Sequence, residues 1–362
     1  MSSCFGQHLH LSLFGQSHGE AIGITMDGFP AGMTVDMDQL TGEMARRAPG
    51  SSSMTTPRKE PDQPEFLSGV MDGHTTGQPI CAIIRNTNMH SRDYGQGVDL
   101  VRPGHADYTG HVRYYGFEDW RGGGHFSGRL TAPIVLAGTL CRQYLKTQGI
   151  AIGAHIQQLE NLQDGSFLDH PHADFQKLHD MILPVLTDGL EQAMEAAVLA
   201  AKADNDSVGG VIECMVRGVP AGLGAPFFDS VESILSHLMF AIPAVKGVSF
   251  GDGFGFAALR GSQANDSFCM ENGRVTTVTD HCGGILGGIT DGMPLIFRCC
   301  IRATPSIARE QATVSLQKNE NAAITVQGRH DPCILPRAVP VVEAMTAIGL
   351  MELWKERAAC VR

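Results

Sequence analysis

The sequence predicts a mixed α/β chain that lacks the fingerprint of a parallel nucleotide-binding sheet. Three observations carry this expectation. Apolar residues recur at helical spacing in some windows and in short strand-like runs in others. Gly-rich clusters separate these windows. Neither GxGxxG nor GxxxxGK[ST] occurs anywhere, so neither the dinucleotide-binding turn nor the P-loop is written here.

The elements follow in chain order. Ala21–Phe29 is strand-like and runs into the turn Gly28-Phe29-Pro30. Thr131–Thr147 places Ile134, Val135, Leu136, Leu140 and Leu145 near helical spacing, with Gly149 as a stop. Asp188 can cap a helix over Gly189–Lys202, rich in Ala, Glu, Leu and Met. Gly209-Gly210 then ends it before a strand over Val211–Val216, and a last helix fits Val339–Arg357. Three long polar segments lie between the elements: Arg46–Glu65, Asn86–His111 and Thr304–Asp331. They carry Arg, His and Asp, and structureless stretches of such length in a compact chain point to function.

Composition narrows the function classes. With 362 residues, 43% hydrophobic and 18% charged, the chain can bury a sizeable core. No linker or repeat marks a boundary, so a single domain over 1–362 is expected. A net charge of −11 argues against a general nucleic-acid binder. Yet 20 of the 27 basic residues are Arg, the side chain suited to a bidentate grip on phosphate or carboxylate, which suggests a local anion site. Ten cysteines without a CxxC pair, and no apolar stretch of membrane-spanning length, lead to the expectation of a reduced, cytoplasmic protein with no membrane partner. No metal pattern appears: HExxH is absent, and His170 and His172 beside Asp169 and Asp174 read as a solvated loop. Gly15-Gln16-Ser17-His18-Gly19 imitates the hydrolase elbow GxSxG. That elbow needs a strand before it and a helix after it, and here a strand-like run follows.

Four clusters could carry chemistry. Ser17-His18-Gly19 sets a histidine between glycines; Arg102-Pro-Gly-His105-Ala-Asp107 presents a cation and a histidine on one turn. Arg121-Gly-Gly-Gly-His125-Phe-Ser127-Gly-Arg129-Leu-Thr131 puts backbone N–H groups and a guanidinium just ahead of a helix, where an anion would sit. Gly328-Arg329-His330-Asp331-Pro332-Cys333, with Arg337 after it, is the fourth. Histidine can give or take a proton near neutrality.

Together with Phe14–Gly19, Asp27–Gly32, Arg46–Gly50, Leu67–Val70, Thr75–Gly77, Val219–Gly224, Ala244–Gly247, Gly283–Gly288 and Arg337–Pro340, these clusters resemble the chorismate synthase family essentially end to end. The resemblance implies an α+β fold, a layered sandwich of two antiparallel sheets covered by helices, assembling as a homotetramer. It implies a carbon–oxygen lyase that converts 5-enolpyruvylshikimate 3-phosphate to chorismate by 1,4-elimination of phosphate and a ring proton. Reduced FMN is required, without net redox change, on the shikimate route to aromatic amino acids. His18 matches the acid that protonates departing phosphate, and His105 the group that protonates or tunes the reduced flavin. Asp331 matches the carboxylate near flavin N5. Arg47, Arg102, Arg129 and Arg329 match the substrate's anion clamps. Ser127, Ala244, Gly287, Arg302, Ala303, Thr304, Pro305, Ser306 and Arg329 fall at flavin-contact positions. Reduction of the flavin by NADPH within the enzyme and by an external reductase both stay open.

The chain departs from the family pattern at Ser53, His125, Phe126, Leu130 and Pro243, where Arg, Arg, Ser, Glu and Asn are usual, and has Arg302-Ala303-Thr304-Pro305-Ser306 for the usual Lys-Pro-Thr-Ser-Ser. These positions lie on the flavin side, so weaker or rearranged FMN binding with an unchanged substrate is expected. A relative that binds flavin or a phosphorylated acid without eliminating phosphate is the alternative reading.

Overall fold

Two five-stranded sheets enclose a layer of helices. The computed structural model describes residues 3–50, 54, 60–87, 99–326 and 330–360. In the first sheet, β1 (Cys4–Phe5), β2 (His10–Gly15), β3 (Ala21–Asp27) and β4 (Pro64–Ser68) precede a small hairpin, β5 (Val70–Met71) with β6 (His74–Thr75); β7 (Ile80–Arg85) then completes the order β1-β2-β3-β7-β4. The second sheet contains β8 (Ala151–Leu159), β9 (Leu162–Gln163), β10 (Gly210–Arg217) and β11 (Val245–Phe250). Two hairpins follow, β12 (Phe268–Glu271) with β13 (Arg274–Thr277) and β14 (Ile285–Leu286) with β15 (Ile289–Thr290). Strand β16 (Leu295–Ile301) closes the order β11-β16-β10-β8-β9. Every ladder in both sheets is antiparallel, as expected from a chain without a βαβ fingerprint.

The helices are α1 (Met37–Arg47), α2 (Asp107–Arg113), α3 (Thr131–Thr147), α4 (Phe175–Asp180), α5 (Leu190–Ala203), α6 (Val231–Ala241), α7 (Gly261–Ala264) and α8 (Leu335–Cys360). α3 and α8 form the inner layer. α3 packs against β3 and β7 of one sheet and β8 of the other, while α8 packs along α3, β8 and β10. Both helices are apolar nearly all round, which is what a helix with no solvent face requires. In β7 the side chains alternate, with Ile80, Ala82 and Ile84 buried. In β8 they do not: Ile152 to Ile156 are all buried, since α8 covers one face and Phe167 and Leu178 of the 164–187 segment help to cover the other. Ion pairs set the register of the helix layer. Glu43 of α1 and Glu343 of α8, both buried, share Arg46 at 2.7 Å each, and Arg142 of α3 adds contacts at 2.7 and 3.3 Å. Arg46 is therefore a helix clasp, which leaves its neighbour Arg47 to face elsewhere.

The expected strand over Ala21–Phe29 ends at Asp27, and the helix over Thr131–Thr147 has those bounds. Three expectations are corrected. Gly189, in the left-handed region, caps α5, while Asp188 pairs with Lys177 at 2.7 Å. α8 starts four residues before Val339: Pro336 falls in its first turn, where a missing N–H costs little, while Pro340 lies inside the helix and forgoes one backbone bond. The Thr304–Asp331 segment is not a loop throughout: β17 (Glu310–Ser315) and β18 (Glu320–Thr325) make a hairpin there.

One loop carries a pH-dependent prediction. Asp280, ahead of the β14–β15 hairpin, accepts the Gly284 N–H at 2.7 Å. Burial, reinforced by Asp291 and Asp266, pushes its carboxyl up to about 7. The folded chain therefore holds this proton more tightly than the unfolded one, so the stability it contributes is lost as pH rises towards 7. Asp280→Asn keeps the acceptor and removes the charge. Its melting-temperature advantage over the wild type is expected to widen from about pH 4 to about pH 8; a gap independent of pH would contradict this.

Candidate active site

The site is assembled from loops at one end of the helix layer. Ser17 and His18 lie on the turn between β2 and β3, and the Ser17 N–H donates to the Gly124 carbonyl at 3.0 Å. Two antiparallel strands flank this turn and Ser17 is buried, so the hydrolase elbow is ruled out by the local fold. The glycine run opposite has φ of +60°, +82° and +53° at Gly122, Gly123 and Gly124, a succession that side chains would forbid. Its bareness has a use. A Cβ on Gly122 would lie 2.0 Å from the His18 ring, and one on Gly123 would lie 3.2 Å from the His105 ring. Consecutive residues of one backbone strip thus pack against both imidazoles. Gly122→Ala is expected to displace His18 and lower kcat by roughly 10²-fold; steady-state kinetics at the wild-type kcat would refute the contact.

His105 sits on the turn that enters α2. Its Nδ1 is 2.7 Å from Asp107 Oδ1, and Arg102 grips the same carboxylate through Nη2 at 2.6 Å and Nε at 2.7 Å. Burial raises the Asp107 carboxyl, but the bonds from Arg102 and His105 outweigh it and hold it well below the usual carboxylate range. Arg302 lies over Gly104 of this turn and donates to its carbonyl at 3.0 Å, tying the 302–306 segment to it.

A second group of cations is buried beside the first turn of α3. Arg47 donates to Thr131 Oγ1 at 3.0 Å, to the Gly128 carbonyl at 3.0 Å and to Asp62 at 2.7 Å. Arg129 pairs with the same Asp62, with Glu60 at 2.7 Å and with the Asn86 side-chain oxygen at 3.0 Å. Asn86 also donates to the carbonyls of Gln16 and Gly19, so it joins this group to the His18 turn. Burial, with Arg337 and Arg129 nearby, pulls the Arg47 guanidinium down to about 10 despite Asp62. Arg337 pairs with Asp331 and donates to the Arg47 carbonyl at 3.0 Å.

These pieces enclose one cavity of about 780 Å³, well within the range of cofactor sites. Its wall includes His105 and Asp331, and Ser17 next to His18. Arg47, Arg102, Arg129, Arg302 and Arg337 line it as well. So do Ser127, Ala244, Thr304, Pro305 and Ser306. Ala244 has φ of +75°, a strained conformation for a residue with a side chain, and its carbonyl accepts the Arg302 N–H at 3.0 Å. Neither Ala303 nor Gly287 is part of the wall; Gly287 is exposed on the tip of the β14–β15 hairpin. Arg329 and Ser53 lie outside the described residues.

Sequence reasoning missed Glu60, Asp62 and Asn86, and also His330 as a wall residue. Burial, with the charges of Arg102 and His105 against the pull of Asp331, keeps the His330 imidazole below its usual value. Among the described residues, Arg129 Nη2, Thr304 Oγ1 and His330 Nε2 are buried without a hydrogen-bond partner. Such atoms on a cavity wall are costly unless a ligand completes them. At the departures, His125 Nδ1 lies 2.8 Å from the Gly15 carbonyl and Nε2 lies 2.9 Å from Ser3 Oγ, so both its nitrogens are used within the chain. Phe126 packs on Tyr114, and Leu130 is buried.

The profile of a family described as chorismate synthase matches residues 9–354. The chain belongs to the chorismate synthase family. A chorismate synthase of Dehalococcoides mccartyi is 44% identical over 357 residues, covering 98% of this chain and 96% of that protein. One of Thermococcus kodakarensis is 42% identical, covering 96% of each. A solved structure titled "Crystal Structure of Chorismate Synthase" superposes with a TM-score of 0.76 at 26% identity, covering 98% of this chain and 93% of that one. The α+β layered fold is that of the family, and its members are lyases that act on a small molecule and use a flavin. Among the described residues no helix is long and apolar enough to cross a membrane.

Proposed function

We propose that the chain eliminates phosphate from 5-enolpyruvylshikimate 3-phosphate to give chorismate in the presence of reduced FMN. The observation that carries this reading is the placing of two imidazoles against one glycine strip, beside a single cavity lined by His105 and five arginines. A substrate with two carboxylates and a phosphate, beside a flavin that adds another phosphate, needs guanidinium donors fixed in place, and here Asp62, Glu60, Asp107 and Asp331 hold four of the five arginines. In the reaction the allylic C–O bond breaks with its electron pair leaving on phosphate. A ring proton is lost and a second ring double bond forms, so atoms and electrons balance without net oxidation.

When bound, reduced FMN supplies electron density to the ring as the C–O bond breaks. The residues fit such a group: Ser127, Ala244, Arg302, Thr304, Pro305 and Ser306 would hold it, and the unfilled polar atoms of Thr304 and His330 would find partners there. His18 donates a proton to the departing phosphate oxygen. His105 would hold a proton toward the flavin, and Asp331, just ahead of α8, would assist removal of the ring proton. Arg47, Arg102, Arg129 and Arg329 clamp the substrate's anions. Ala303 and Gly287 stay in the proposal as flavin contacts only through their positions in the family pattern. Because His125 is spent on Gly15 and Ser3 instead of reaching outward, FMN binds more weakly than in relatives with the usual Arg. The chain acts as one domain and as a cytoplasmic homotetramer; Phe117, Phe227, Phe228 and Phe254, each at least 87% exposed, supply surface for the assembly. NADPH is one candidate source of the flavin's electrons.

The test is anaerobic. The protein, chemically reduced FMN and 5-enolpyruvylshikimate 3-phosphate are mixed, and chorismate and phosphate are followed together. Equal release of both supports the proposal; flavin binding with neither product overturns it in favour of a binding-only relative.

A further inference from the structure

We propose that Asp107 is a positioning residue that sets which nitrogen of His105 faces the reaction. This rests on the elimination proposed above, in which His105 handles a proton.

Asp107 Oδ1 lies 2.7 Å from His105 Nδ1 and 2.6 Å from Arg102 Nη2, and Oδ2 accepts the Arg102 N–H at 2.9 Å and Nε at 2.7 Å. A carboxylate held ionised by so many donors can only accept. The ring nitrogen facing it must therefore carry hydrogen, and Nδ1–H donates to Oδ1. The second neighbour of Nδ1 would dictate the opposite. Arg102 Nη2 is 3.1 Å from Nδ1, and a guanidinium only donates. If Arg102 were the sole partner, Nδ1 would have to accept and the proton would move to Nε2. Asp107 resolves this conflict, because both donors converge on its oxygen.

The consequence reaches the cavity. With Nδ1 committed to Asp107, Nε2 is the nitrogen left to exchange a proton, and it lies on the Gly123 side of the ring, where the strip that also packs on His18 passes. His105 itself lines the cavity. The carboxylate also neutralises Arg102, so the turn offers a substrate anion an oriented cation and not an isolated buried charge. No other carboxylate among the described residues is hydrogen-bonded to His105.

The experiment uses the full-length protein labelled with ¹⁵N-histidine. The His105 resonances are assigned by their loss in His105→Ala, and the tautomer is read from two-bond ¹H–¹⁵N couplings. The wild type is expected to carry its proton on Nδ1 of His105, and Asp107→Ala to shift it to Nε2. A wild-type ring protonated on Nε2 overturns the proposal whether or not any variant folds, as does Asp107→Ala with the wild-type tautomer. Kinetics supply the second readout. Asp107→Asn is expected to lower kcat by at least about 10²-fold with KM for the phosphorylated substrate within about threefold. An unchanged kcat, or a loss confined to KM, would assign Asp107 to substrate binding and overturn the proposal. Should the wild type release no chorismate, the elimination reading falls while the tautomer measurement still decides the role of Asp107.

Discussion

Asp62→Ala is expected to destabilise the protein by about 3–5 kcal/mol, the cost of leaving a buried charge without its partner. Asp62 is 1% exposed and stands between Arg47 and Arg129, themselves 2% and 5% exposed. Burial already pulls Arg47 down to about 10, and the charges of Arg337 and Arg129 push the same way; Asp62 is the counterweight. Glu60 still balances part of Arg129 in the variant, whereas Arg47 is left with neutral acceptors on Thr131 and Gly128. Urea denaturation measures the loss as a drop in midpoint without a change in slope. Inorganic phosphate should restore more stability to the variant than to the wild type, because an anion that enters the cavity replaces the missing charge. A midpoint equal to that of the wild type would show that the two guanidiniums do not depend on Asp62.

The second large effect concerns chemistry. His105→Ala and Asp331→Ala are each expected to lower turnover by about 10²–10⁴-fold, the usual contribution of a positioned acid or base. The two stand on different segments, one on the turn entering α2 and the other just ahead of α8, so each loss should appear with the other group intact. Asp331→Ala has an added consequence, since it releases Arg337 from its carboxylate next to the Arg47 carbonyl. Its substrate KM is therefore expected to change more than that of His105→Ala. Turnover within about threefold of the wild type in either variant would remove that residue from the mechanism.

Local pattern made part of this legible. α3 could be placed because its apolar residues and the following Gly149, at φ of +81°, mark both its face and its end. The Arg102–Asp107 turn could be picked out because its partners are at most five residues apart. The carboxylates that organise the cations were not visible in the same way. Asp62 reaches Arg129 across 67 residues and Asn86 reaches Arg129 across 43, distances at which no periodicity operates. The sequence holds a signal in the acidic pair of Glu60-Pro61-Asp62, which follows Arg58-Lys59, but nothing local ties it to Arg129. The β17–β18 hairpin hid for a different reason: its half-exposed residues Glu310–Ser315 and Glu320–Thr325 are too polar to write a buried strand. His125 reads as an altered flavin contact in sequence and forms a clasp between Gly15 and Ser3 in space.

The decisive measurement asks whether flavin and substrate occupy one cavity in contact with each other. Reduced FMN is titrated anaerobically into Asp331→Ala, with and without saturating 5-enolpyruvylshikimate 3-phosphate, and binding is followed by flavin absorbance. Two guests sharing the wall of arginines are expected to perturb each other: the flavin spectrum shifts on adding substrate, and its Kd changes by about tenfold or more, a coupling of about 1.4 kcal/mol. Identical spectra and identical Kd values in the two titrations would mean that the ligands bind independently, and the shared-cavity reading would be wrong.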